Sequence, residues 1–133
     1  MLRNMLLFFS TRSEYHFAKE KPLHKLACWG TAITVLYRIK TNRKREDAVD
    51  VFHKFIKSDS VCFDVGAAYG RLSYDIARLA NKGMVYSFEP GEYSYQVLTD
   101  LMKLCGFKNV ITINNAVYNQ KQILELRTPL REN

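Results

Sequence analysis

Residues 60–117 alternate between short apolar runs and amphipathic stretches, and no other feature restricts the fold as much. Ser60-Val61-Cys62-Phe63-Asp64-Val65 reads as a strand buried on both faces. A glycine-containing turn at 66–70 follows it. Residues 71–82 then have helical period, with Leu72, Ile76, Leu79 and Ala80 on one face and Asn81-Lys82-Gly83 as the stop. A second strand at 84–88 ends in Glu89-Pro90-Gly91. A second helix at 92–105 turns Val97, Leu98, Leu101, Leu104 and Cys105 inward and stops at Gly106. The third strand, 109–114, carries Val110, Ile111 and Ile113, and residues 123–127 alternate like a further edge or hairpin strand. Strand, helix, strand, helix, strand predicts parallel pairing through right-handed crossovers. The expected fold is therefore an α/β, three-layer α/β/α arrangement with an incomplete parallel sheet, its strands in the order 3-2-1.

The front of the chain is patterned differently. Residues 46–57 predict a helix with Val49, Phe52, His53 and Ile56 on its apolar stripe, acids in the first turn and lysines in the last. Leu23, Leu26, Gly30, Ile33 and Tyr37 recur near helical spacing, although Ile33-Thr34-Val35 leaves a strand open. This segment is expected to pack on its own domain rather than lie on a membrane. Residues 1–22 show no firm period. Residues 1–57 hold twelve Lys/Arg against five Asp/Glu, whereas 58–133 hold eight of each, so the net charge of +7 belongs to the front. The division expected is a basic, partly helical region at 1–45 and a partial domain at 46–133.

Such a basic region can attract nucleic acid or anionic lipid, but no stacking aromatics interleave with it, so a nucleic-acid partner is not favoured. Cys28, Cys62 and Cys105 are too scattered for a disulfide framework or zinc site. His16, His24 and His53 have no second ligand nearby, so no metal is expected. No stretch reaches the ~18–20 apolar residues of a membrane span. Together these point to a reducing, cytoplasmic setting with no secretion.

In open α/β sheets, ligands bind beyond the carboxyl ends of the strands. After the first strand, Asp64-Val65-Gly66-Ala67-Ala68-Tyr69-Gly70 offers small residues for close backbone approach. The next helix begins there, so its N–H groups can meet a carboxylate. Asp64 is placed to accept from an ammonium group. Glu89, at the second strand's end, suits the two hydroxyls of a ribose. Asn114-Asn115-Ala116 follow the third strand, where an adenine edge would find an amide and backbone groups. Together these features favour a nucleoside-type ligand.

Three strings carry a closer resemblance: Val61-Cys62-Phe63-Asp64-Val65-Gly66-Ala67-Ala68-Tyr69-Gly70, Gly83-Met84-Val85-Tyr86-Ser87-Phe88-Glu89-Pro90, and Asn109-Val110-Ile111-Thr112-Ile113-Asn114-Asn115-Ala116-Val117. In this order and spacing they resemble the FkbM family of S-adenosylmethionine-dependent methyltransferases. The resemblance covers less than half of the chain and implies a Rossmann-like class I methyltransferase fold. It implies that Asp64, Gly66, Ala67 and Gly70 line the methionine end of S-adenosylmethionine, that Glu89 holds the ribose, and that Asn115 and Ala116 lie near the adenine. The family has Asn where this chain has Ala68, and it continues through a strand with an acidic motif that is not found after Val117. What is expected here is a truncated or partial methyltransferase. It would keep the cofactor-binding half, with no identifiable catalytic residue, and its acceptor would be a small or sugar-like molecule.

Other readings make different demands. A nicotinamide domain wants G-x-G-x-x-G, and Ala68 with an acid at 64 disfavours a pyrophosphate there. A nucleic-acid methyltransferase would draw on the basic front. A degenerate, non-catalytic module would act through protein contacts, with a dimer or partner covering the first strand's unpaired edge.

Overall fold

The structure, a computed structural model, describes residues 8–9, 22–41 and 46–119, with side chains at 22–41 and 51–119. The expectations for the rest of 1–21, for residues 42–45 of the basic region and for a strand at 123–127 lie outside the described residues. The elements are β1 (Phe8–Phe9), α1 (Pro22–Thr41), α2 (Glu46–Phe55), β2 (Val61–Val65), α3 (Arg71–Leu79), β3 (Met84–Phe88), α4 (Glu92–Leu104), β4 (Val110–Ile113) and β5 (Ala116–Val117).

β2, β3 and β4 form one parallel sheet in that order, with Asp64 opposite Ser87 and Ser87 opposite Thr112. This is the expected 3-2-1 order, with the first strand at an edge. A separate antiparallel pair joins β1 to β5. Two successive crossovers in one direction, each of the right-handed kind that parallel pairs favour, are expected to place α3 and α4 on the same face of the sheet. Side chains bear this out, since Ser73 of α3 meets Asp64 and Thr99 of α4 meets Thr112.

The opposite face is a departure from the expected double burial of the first strand. Val61, Phe63 and Val65 are 61, 49 and 59% exposed, and Phe63 stacks on half-buried Tyr86. Among the described residues no helix covers this face of β2, so the second helical layer of the expected sandwich is not among them. β2's outer edge is likewise unpaired there.

The core has two parts. α3 and its C-cap residue pack Ile76, Ala77 and Ala80 on Val85, with Ile56 and Cys62 at the margin. α4 places Val97, Leu98 and Leu101, all fully buried, against Cys28 and Ala32 of α1. Each such aliphatic burial contributes roughly 1.5–3 kcal/mol, so α1 shares a core with the sheet domain. The buried face of α1 differs from the expected one. Leu23, Leu26, Ile33 and Tyr37 face solvent, while Cys28 and Ala32 point inward, flanked by Val35, Leu36 and Ile39. Small side chains at 28 and 32 let the α1 backbone approach α4, which larger residues on the other stripe would prevent.

In α2, Phe52 is half-buried, while His53 is exposed rather than packed on the apolar stripe. The three cysteines are free, Cys28 buried and the others half-buried. Burial pushes all three thiols above their ordinary range, and Asp100 adds to the effect at Cys28. No helix among the described residues is long and apolar enough to cross a membrane.

Candidate functional site

Backbone hydrogen bonds tie the carboxyl ends of β2, β3 and β4 into one rim. Gly66 and Ala67 N–H both donate to the Phe88 carbonyl at 2.9 Å, and Glu89 N–H donates to the Ile113 carbonyl at 3.0 Å. The Glu89 carboxylate then clasps two loops. Its Oε2 accepts from Ala68 N–H at 2.8 Å and its Oε1 from Gly91 N–H at 2.8 Å. Asn114 Nδ2 donates to the carbonyls of Glu89 and Pro90 at 2.9 and 3.2 Å, fastening β4's end to the same turn. Each carboxylate oxygen of Glu89 keeps a lone pair for a further donor.

Asp64 lies beneath this rim and is only 5% exposed. Its Oδ2 accepts from the Ser73 hydroxyl at 2.6 Å, which in turn accepts from the Ser87 hydroxyl at 2.9 Å. Oδ1 accepts no hydrogen bond from a described group. Both serines are fully buried, and sequence reasoning missed them. Ser87 lies two residues from buried Val85 on the helix-facing side of β3, and that alternation was the available signal.

The expected site residues divide into two roles. Gly66, at φ +80°, has nothing within 4 Å of where a Cβ would stand, so the turn opens onto free space there. Ala67 instead turns its methyl into the α1–α4 core. Gly70, also at φ +80°, would carry a Cβ 2.5 Å from Leu98 Cδ1 and 3.2 Å from Met102 Cε. Its missing side chain makes room for α4. The N–H groups of 66–68 are already engaged at β3's end. The first turn of α3 is different, because Gly70 supplies no side-chain cap. Asn115 and Ala116 directly follow Asn114 on the rim, and Ala116 pairs with Phe9.

Ala68 is the one non-glycine residue at positive φ among the described residues, at 49°. A left-handed alanine costs roughly 1–2 kcal/mol, partly offset in glycine by its greater unfolded entropy. Ala68→Gly is therefore expected to stabilise the chain by about 0.5–1 kcal/mol. The urea midpoint should rise with an unchanged slope, and a lower midpoint would contradict this account.

α1 is latched to the rim. The Thr31 and Tyr93 hydroxyls lie 2.8 Å apart, and Tyr93 meets both His24 and Tyr69 edge-on at 5.9 and 6.2 Å. A cavity of about 570 Å³ lies at the other end of the sheet, lined by Arg78, Lys82, Gly83, Phe107 and Lys108. It is remote from the carboxyl-end rim where both acids lie.

No protein-family model matches the chain, and no curated protein matches it. Solved structures are similar over part of it. A Clostridium thermocellum protein assigned as an rRNA-methylase is 19% identical, with a TM-score of 0.48, over 53% of this chain and 40% of its own. Precorrin-6y C5,15-methyltransferase from Geobacter metallireducens is 23% identical, TM-score 0.46, over 50% and 35%. TYW2 from M. jannaschii, solved with AdoMet, is 19% identical, TM-score 0.46, over 59% and 34%. The chain thus spans between 34 and 40% of the length of these structures.

Proposed function

We propose that this chain is the cofactor-binding part of an S-adenosylmethionine-dependent methyltransferase of the FkbM type, acting on a small or sugar-like acceptor. The observation that carries this reading is the 2.8 Å bond from Ala68 N–H to Glu89 Oε2. It draws the second strand's carboxylate against the first strand's open turn, so that one ligand can reach both. The residues fit the cofactor's chemistry. Spare lone pairs on Glu89 suit ribose hydroxyls, and the unengaged oxygen of buried Asp64 suits an ammonium. The uncapped first turn of α3 suits a carboxylate, with Asn115 and Ala116 beside the adenine. When bound, the cofactor supplies an electrophilic methyl group. These residues would contribute binding and orientation, the main requirement of such a transfer. No acceptor-activating base is assigned.

Calorimetry with S-adenosylmethionine and S-adenosylhomocysteine tests the reading. Both should bind saturably. Glu89→Ala should weaken binding at least roughly thirtyfold, as expected for lost hydrogen bonds to a charged group, while Glu92→Ala on the exposed start of α4 should not. Absence of heat at millimolar ligand would instead favour a non-catalytic interaction module. The bare outer face of β2 is the observation that supports this second reading.

A further inference from the structure

α1 buries Cys28 and Ala32 on one side and presents a second apolar stripe on the other. Leu23, Leu26, Trp29, Ile33 and Tyr37 are 77, 69, 44, 53 and 68% exposed. At 100° per residue they fall within one arc of about 120°, together with Gly30, whose surroundings hold no atom within 4 Å of a Cβ. Five large apolar side chains along one ordered helix form a patch that isolated surface hydrophobics do not explain. The charges carried by α1 itself are of one sign. The helix contains no acidic residue, and Lys25, Arg38 and Lys40 are all exposed on it. Residues 1–45 carry ten Lys/Arg against two Asp/Glu.

We propose that this outer face of α1 seats the protein on an anionic lipid bilayer, the helix lying in the interfacial plane. An apolar stripe flanked by cations, with an indole and a phenol among its members, is the composition that settles at the headgroup boundary. The charge complementarity selects a lipid surface over a second copy, because two copies of α1 would bring together basic flanks with no acid on either helix. The helix cannot cross the bilayer, so it lies on the surface. Its inner face remains packed on α4 and its Thr31 remains bonded to Tyr93 at the rim.

Trp29 is the chain's single tryptophan, so its fluorescence reports on this face alone. The full chain is titrated with phosphatidylcholine vesicles containing 30% phosphatidylserine and with pure phosphatidylcholine vesicles. The expected result is a blue shift of Trp29 emission and co-flotation with the anionic vesicles. Binding should be at least about tenfold weaker to the neutral ones and reduced in high salt. Leu26→Glu with Ile33→Glu, both at exposed positions, should abolish flotation while leaving the thermal midpoint unchanged. Unshifted emission on anionic vesicles, or equal flotation of this double variant, would overturn the proposal. So would a lipid-free dimer broken by the same substitutions together with no vesicle binding, which would assign the face to a second copy.

Discussion

A Gly83→Ala chain is expected to lose about 3–5 kcal/mol of stability, a large part of the 5–15 kcal/mol typical of a domain. Gly83 lies where the end of α3 turns into β3. A Cβ there would stand 1.9 Å from the Ser60 carbonyl oxygen and 2.8 Å from the carbonyl carbons of Asp59 and Ser60. These are backbone atoms, so no rotamer change relieves the clash. The Ser60 carbonyl also accepts from Met84 N–H at 3.1 Å, and just before it Lys82 N–H donates to the Ser58 carbonyl at 2.7 Å. These two bonds start the β2–β3 pairing. Accommodating one methyl group requires the strands to part by more than an ångström and strands these groups without partners, at roughly 1–3 kcal/mol each where water is excluded. Urea unfolding followed by circular dichroism measures the loss. A change below about 1 kcal/mol would mean that the strand bases do not meet this closely.

The order of strands and helices was legible because each element carries its own period. Val97, Leu98 and Leu101 repeat at helical spacing, and Gly106 ends their helix where expected. What one sequence does not encode locally is which of two apolar stripes faces inward. α1 has two, and the bulkier one, from Leu23 to Tyr37, was the natural expectation for the core. The structure buries the smaller stripe because Cys28 and Ala32 permit close approach to α4, a property of the pair of helices. The same limit applied to β2. Its apolar run suggests burial on both faces, but whether a second layer covers Val61, Phe63 and Val65 depends on residues far away in the chain. At the rim, Glu89 could be placed from its position after an apolar run. Its clasp on Ala68 and Gly91 depends on the approach of two loops across 21 residues. Likewise, the room that Ala67 and Gly70 leave for α4 depends on side chains of a later element.

Ser73→Ala is expected to cost about 2–4 kcal/mol although it removes a single oxygen atom. The Ser73 hydroxyl stands between the Asp64 carboxylate and the Ser87 hydroxyl, and all three groups are buried. Its loss leaves a buried carboxylate oxygen without its charge-assisted donor and a buried hydroxyl without its acceptor. Ser87→Ala is less damaging, at about 1 kcal/mol, because Ser73 can still donate to Asp64. The two substitutions should therefore not add. In the Ser73→Ala background the Ser87 hydroxyl has already lost its acceptor, so removing it should cost nothing or restore some stability. A double-mutant cycle measures this coupling. Additive costs would show that the three groups act separately. A negative coupling would mean that α3, β2 and β3 are joined through Asp64, whose other oxygen is then held in a fixed position beneath the rim where Glu89 meets the turn.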